Sequence, residues 1–508
     1  MPTPPDPAPS PIPAGPRGPA GPRGPAASGA SAGPEAGTGT ETGAGAGKAA
    51  GTEARAGSGP GTEAGAGAET SAGTGTETGA GTAPASGARS GYRAVFAVPE
   101  FRAVFAAHLM SMLGVVVSEI ALSVLVYRIS GSPLLSALTF ALGLLPYLVG
   151  GTLLAQAADR FPARRVLVVC DLLCAGCAAV MVVPGTPVAV LLGLRCLSAA
   201  IAPVFGGTRA ATLGDILGEG DLFVLGRSVI RIVSQGAQLA GFAVGGLLLT
   251  VVAPRAVLAV TVATFLGSAL VLRFGTRRRP ARAAAGAGHG GRLVGSSLAG
   301  ARALLADRRV RALLLLSWVP PMFVVAPEAL ATPYADTLGL GPAGLGLLMI
   351  GMPVGAITSE VLVGSLLGPA ARARLTLPVA ALATLPALGY AVRPSLAPAL
   401  LLLVLTGAGI AYTLGLDQWF LAAVPEQARG TALTLMTAGL MTTQGLGMAL
   451  AGAAAELWPV HRVVAGAGVL GTVCGLLVVA EVRRTAPPPA PAGPSNNRDS
   501  TARHMTGG

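Results

Sequence analysis

A few ionisable side chains lie inside long apolar runs of this chain: His108, Glu119, Asp171, Arg195, Glu328, Glu360 and Asp417. A charge surrounded by hydrocarbon costs about 3 kcal/mol or more unless it is paired, hydrated or neutralised. Such residues are therefore read first as working groups. A carboxyl escapes the cost by taking up a proton, which makes it a carrier of protons between two aqueous phases. Glu119 and Glu360 sit deepest in their runs and are the first proton-coupling candidates. Arg195 lies about eight residues in from the end of its run, with no acid nearby in sequence. Two roles fit it, a proton-coupling charge or a structural arginine held by backbone carbonyls. Asp171 and Asp417 fall within about a turn of a run's end, where a charge lock or snorkelling accounts for them. His108 is either a titrating group facing a cavity or a packed one. Glu328 follows Pro320, Pro321 and Pro327, which break a helix, so it is a candidate gate or cavity residue, as are Asp417 and His108. Arg231, Gln235 and Gln238 are spaced i, i+4, i+7 and form one polar stripe, which must face a cavity or another helix.

Other chemistries find little support. Cys170, Cys174 and Cys177 share one apolar run, and Cys174-Ala-Gly-Cys177 has C-x-x-C spacing. Zinc would need further ligands, and redox work would need accessible thiolates, so these are read as small buried core residues. Gly43–Lys48 reads GAGAGK but lacks the first glycine of a phosphate loop, and Ala49 replaces its Ser or Thr. There is no H-E-x-x-H and no nucleophile elbow. The expectation is no enzyme activity, no metal and no cofactor.

The elements that position these residues follow from composition. The chain has 508 residues, 52% hydrophobic and only 11% charged, against about 25% charged in a soluble domain. Mean hydropathy is +0.65. This is the composition of a polytopic membrane protein. A spanning helix needs about 20 apolar residues. Twelve runs meet the need, at roughly 103–126, 134–156, 166–183, 187–206, 229–251, 255–273, 311–333, 343–367, 376–392, 396–421, 431–453 and 461–480. They are continuous and not alternating, which excludes a membrane β-barrel. The net charge of +12 is no nucleic-acid signature here. With the N-terminus inside, inner loops take Arg160, Arg164, Arg165, Arg209, Arg227, Arg231, Arg372, Arg374 and Arg429, and a dense arginine run from Arg273 to Arg311. Outer loops keep only Arg128, Arg255, Arg393 and Arg462. Both termini are therefore expected in the cytoplasm. Five segments are predicted. Residues 1–91 form a disordered Gly/Ala/Pro/Thr tail without a signal peptide, and 92–274 a six-helix bundle. Residues 275–310 form a basic cytoplasmic linker loop, 311–480 a second six-helix bundle, and 481–508 a disordered tail.

Several motifs carry a resemblance. The loop after span two reads Ala158-Asp159-Arg160-Phe161-Pro162-Ala163-Arg164-Arg165. It resembles the G-x-x-x-D-R-x-G-R-R motif of the major facilitator superfamily, with Ala155 in place of the first glycine and Pro162-Ala163 in place of Gly-Arg. Its ADR-x-P-x-RR form is similar to the enterobactin-exporter-like and macrolide-efflux-like branch. The resemblance implies that Asp159, Arg160, Arg164 and Arg165 form a cytoplasmic charge lock that holds one access state. Arg195 and Ala199 match the superfamily's fourth-helix R-x-x-x-G motif with alanine for glycine, where the arginine is linked to proton coupling. Gly236 to Gly246 resembles the fifth-helix antiporter motif, with Phe242 at the proline position. Gly241, Gly245 and Gly246 would permit the close helix approach that seals the halves. Pro327–Ala335 and Val424–Gly430 resemble the same branch's seventh helix and its loop between helices ten and eleven.

The resemblance implies an all-α major facilitator fold with twelve transmembrane helices in two six-helix bundles. It also implies a secondary transporter in a bacterial cytoplasmic membrane. The expected activity is proton-coupled export of a small amphipathic molecule such as a drug, siderophore or secondary metabolite. An importer or symporter is the first alternative, and a non-transporting sensor or scaffold that uses its long tail is the second. The expected partners are the lipid bilayer, a small-molecule substrate and protons, with no nucleic acid, and the protein is expected to act as a monomer.

Overall fold

The computed structural model describes residues 93–147, 150, 160–218, 221–279 and 293–485. The predicted N-terminal tail, residues 486–508 of the C-terminal one, Asp159 and the middle of the linker lie outside the described residues, while 481–484, predicted as tail, continue the last helix. Among the described residues there is no β-strand, and the chain is a succession of helices. Helix α1 is Pro99–Ser130, α2 Pro133–Leu144, α3 Ala163–Val182, α4 Val188–Leu217, α5 Asp221–Val251 and α6 Pro254–Gly275. After α7, Leu293–Ala306, come α8 (Arg308–Val324), α9 (Ala326–Ala329), α10 (Ala331–Thr337) and α11 (Pro342–Leu366). The chain continues through α12 (Pro369–Leu382), α13 (Leu396–Ala408), α14 (Thr413–Ala423), α15 (Arg429–Ala455) and α16 (Val460–Arg484).

Among the described residues, ten helical segments are long and apolar enough to cross a membrane. Two of the twelve predicted spans are not in this set. Of span two, the one regular helix before the described residues break off is α2, Pro133–Leu144, only 12 residues long. Helix α15 has 27 residues, but its glycines, threonines and Gln444 dilute its hydropathy. Large apolar side chains face outward along the helices, among them Leu247, Leu270, Leu366 and Leu477, each more than half exposed. Water would not tolerate this many, whereas hydrocarbon solvates them.

Local chemistry sets the breaks. Helix α1 ends at Gly131, whose φ of 65° is the left-handed value glycine adopts freely, and its N–H bonds Tyr127 O at 2.8 Å. Ser132 then caps α2 by accepting from Leu135 N at 3.1 Å, and Pro133 takes the first helical position, which needs no donor. Span seven is broken into α8, α9 and α10, as its prolines predict. The predicted linker loop is corrected in part. Leu293–Ala306 is helical, and Leu304 packs with Val310, Leu313 and Leu314 of α8, because burying one apolar stripe favours helix over loop there.

The interior is divided unevenly. Around the C-terminal end of α1, one continuous core joins both parts of the chain. Ile120, Phe140, Phe242 and Leu258 share it with Tyr334, Leu345, Leu348 and Met448. Toward the other end the cores separate. Phe101 and Leu213 belong to a cluster of the first part alone, and Leu313, Tyr412 and Phe420 to a cluster of the second. The joined end is held by α2 against α15 and by α5 against α11. A Cβ on Gly452 would stand 2.7 Å from Ala137 Cβ. Ser123 Oγ of α1 lies 3.0 Å from Ser136 Oγ of α2 and 2.6 Å from Thr332 Oγ1 of α10, all buried. Glu456, just beyond α15, accepts from Ser132 Oγ and from Leu134 N, the latter at 3.0 Å, and so caps α2 from across the contact.

Candidate functional site

Arg195 enters the interior from the eighth position of α4, about 10 Å along the helix from its start. It forms an ion pair with Glu119 of α1, and the side chains are 10% and 20% exposed. Its Nε donates to Thr139 O of α2 at 3.1 Å. The carbonyl contact that a structural arginine would make is thus present beside an ion pair that the sequence did not show. A Cβ on Gly143 would meet the guanidinium, with Cζ at 3.0 Å, so glycine there makes room for the charge. The planar guanidinium spreads its donors over two helices, whereas a lysine ammonium has no such fork. Breaking a buried pair of this kind costs about 3–5 kcal/mol, because it strands the other charge.

The pair borders a cavity of about 200 Å³ among α1, α3, α4 and α6, lined also by Ser111, Asp171 and Arg209. Asp171 does not snorkel but is tied into the interior. It is 2% exposed, about 12 Å into α3, and contacts Ser111 Oγ at 3.0 Å and Ser268 Oγ at 2.5 Å. Two serines on different helices carry no signal in sequence.

His108 is buried and sits in a fixed hydrogen-bond chain. Ser234 Oγ donates to Ile230 O at 2.8 Å, which uses its one hydrogen. His108 Nε2, 2.7 Å from that oxygen, must therefore donate, and Nδ1 accepts from Arg209. The ring is neutral in this arrangement, and a second proton would meet the Arg209 guanidinium, which also lies 4.8 Å over the face of Phe205. The packed role of His108 is the one this geometry favours.

The other predicted residues are spread out. Glu328, on α9, is half-buried within electrostatic range of Glu119, so the second part of the chain adds a carboxyl near the ion pair. Glu360 is half-buried six residues, about 9 Å, before the end of α11 and does not line the cavity of Arg195. Asp417 is exposed on α14, within range of Arg231 on α5. On the same α5 stripe Gln235 is exposed and Gln238 half-buried. The three motif glycines divide. A Cβ on Gly241 would lie 2.8 Å from Val116 Cβ, and one on Gly245 would lie 3.5 Å from Val117 Cα, both on α1. One on Gly246 would lie 2.6 Å from Gly346 Cα of α11, so Gly246 is the member that meets the other part of the chain.

Of the expected charge lock, Asp159 lies outside the described residues. Arg160 is exposed, while Arg164 and Arg165 line a basic pocket of about 290 Å³ with Arg273, Arg278 and Arg279. An ion pair next to this pocket is formed by other residues. Arg279 binds both oxygens of Glu100 at 2.5 and 2.9 Å, joining the start of α1 to the segment after α6. Cys170 and Cys177 are buried and free, and no group of His, Cys, Asp or Glu that could hold a metal occurs among the described residues. Replacing Cys174 and Cys177 together by serine should leave flux in membrane vesicles within about twofold of wild type. A redox or metal role for the C-x-x-C would show as its loss.

A helical membrane protein with a charge pair sunk in an interhelical cavity, and its two parts in contact at one end, has the build of a secondary transporter. The family model for transmembrane secretion effectors matches residues 90–497, and the chain belongs to that family, within the major facilitator superfamily. It is therefore a multi-pass membrane transporter and not an enzyme. No curated protein sequence matches the chain. Among solved structures, the nucleoside transporter NupG is similar, at 16% identity and a TM-score of 0.57, over 75% of this chain and 98% of that one. A POT family transporter in complex with a thioalcohol conjugated peptide is also similar, at 11% identity and a TM-score of 0.57, over 76% and 96%. At these identities the likeness is one of fold.

Proposed function

We propose that the protein is a proton-coupled exporter of a small amphipathic molecule that works by alternating access. The observation that carries this reading is the Arg195–Glu119 pair in its cavity. Glu119 takes a proton when Arg195 is drawn away and releases it when the pair re-forms. Either step alters the charge that the interior must bear, and so couples protonation to helix movement. Glu328 lies where it senses the same event from the other half. The family's description as secretion effectors supports export over import.

In this reading twelve helices form two six-helix bundles, at 92–274 and 311–480. The basic 275–310 segment joins them, the termini are cytoplasmic, and the protein works as a monomer. The arginine asymmetry supports the orientation. It makes the joined end of the core the outer face, so the conformation described is closed outside, with separate cores toward the cytoplasm. Asp159, Arg160, Arg164 and Arg165 then act as the cytoplasmic lock of the opposite state. The motif likeness supports the enterobactin-exporter-like and macrolide-efflux-like branch.

Proteoliposomes with an imposed pH gradient test the reading. Efflux of a panel of amphipathic dyes and drugs should follow the gradient in the wild type and collapse with it. Substrate movement that ignores the gradient excludes proton coupling, and accumulation in place of extrusion excludes export.

A further inference from the structure

The hydrogen atoms around Asp171 can be counted. Three contacts close a ring: Ser111 Oγ to Asp171 Oδ1 at 3.0 Å, Ser111 Oγ to Ser268 Oγ at 2.9 Å, and Ser268 Oγ to Asp171 Oδ2 at 2.5 Å. They tie α1, α3 and α6 together, and all three residues are buried. The two hydroxyls bring one hydrogen each. A carboxylate brings none, so an ionised Asp171 would leave one contact as oxygen against oxygen with nothing between. A carboxylic acid supplies the third hydrogen. Each contact then has one, whichever sense the donors take round the ring.

The surroundings supply the alternative partner for the ionised form. Arg209 of α4 lies within electrostatic range of Asp171. Arg209 is at present engaged by His108 of α1, whose neutral tautomer is set by Ser234 of α5. Cys170 and Cys174 flank Asp171 on α3, α6 contributes Ser268, and Glu119 of α1 and Arg195 of α4 border the same cavity. That cavity, at about 200 Å³, has room for several waters at about 30 Å³ each, enough to carry a proton between the two carboxyls.

We propose that Asp171 is a second proton-binding site of the transporter, closed into a ring with Ser111 and Ser268 when the proton is on and turned to Arg209 when it is off. Taken as a step in transport, this rests on the proton-coupled reading above. The step is a proton transfer alone: the acid O–H breaks, the proton passes to cavity water or to Glu119, and the carboxylate charge is met by Arg209.

The test is infrared spectroscopy of the full-length protein in lipid nanodiscs, recorded against pH as the difference between wild type and each variant. Asp171→Asn should remove a protonated-carboxyl band present at neutral pH. The asparagine amide still offers one donor and one acceptor to the ring, so the thermal midpoint should stay close to that of the parent. Ser111→Ala should move the band's midpoint to lower pH, because it removes two contacts from the protonated ring and only one from the ionised form. Identical carboxyl bands with and without Asp171, across the pH range, would overturn the proposal, as would a Ser111→Ala midpoint that does not move. Neither spectrum requires transport. Flux that ignores a pH gradient therefore removes the coupling reading without touching the spectroscopic result, and unchanged bands remove Asp171 even if flux follows the gradient.

Discussion

Arg195→Ala is expected to abolish gradient-driven efflux while leaving a folded protein in the membrane. The substitution strands Glu119, and a stranded buried charge costs about 3–5 kcal/mol. Glu119 can avoid most of that cost by keeping a proton permanently, which is the state that cannot couple. Glu119→Gln is expected to abolish coupling from the other side, since glutamine still accepts from Arg195 but carries no proton. Here the stranded group is the guanidinium, which cannot neutralise itself, so Glu119→Gln should be the less stable of the two. The double variant Arg195→Ala, Glu119→Gln buries no charge at the pair. Its thermal midpoint should therefore lie above that of Glu119→Gln, a non-additivity that a double-mutant cycle measures directly. Additive losses in midpoint, or gradient-driven efflux within about tenfold of wild type in Arg195→Ala, would mean that the pair is not the coupling element.

Gly246→Val is expected to spread the closed end of the transporter. At this position the atoms a new Cβ would meet are backbone, Gly346 Cα at 2.6 Å and Pro342 O at 3.0 Å, and backbone cannot turn aside as a side chain does. Overpacking costs about 1–3 kcal/mol, and here it is charged only to the state in which α5 and α11 touch. A bias of that size shifts a two-state population by about 5- to 150-fold. Spin labels at Ile129 and Leu457, both exposed at the joined end on opposite parts of the chain, should report a longer distance in the variant. Gly346→Val should do the same, because the contact is mutual. Gly364→Val on the same α11 should not, since nothing stands within 4 Å of its Cβ position. A label distance that Gly246→Val leaves unchanged would show that this contact does not hold the closed state.

The contrast between Gly245 and Gly246 marks where sequence reading stops. Both belong to the motif that predicted close helix approach, but a Cβ on Gly245 would meet α1 only at an ordinary 3.5 Å, whereas one on Gly246 would stand 2.6 Å from the backbone of α11. Which one meets the other half depends on the rotation of α5 about its axis, a single residue's difference of about 100°. The same limit explains Asp171. Its place near the end of an apolar run says nothing of whether the side chain turns inward, and it is buried. Its serine partners, on α1 and α6, look like any other small polar residue in a membrane helix. By contrast, the prolines that break span seven were legible, since each acts on its own backbone.

Read alone, the chain specified its class of structure. Run length against bilayer thickness marked out membrane-crossing helices, and isolated charges in those runs marked Arg195 and Glu119 as residues to watch. It did not specify that these two residues, 76 positions apart, form a pair, nor that Glu360 stands away from them. Helices that are apolar nearly all round carry no stripe to announce which face turns inward. The partner of each buried charge was therefore decided only when the helices packed.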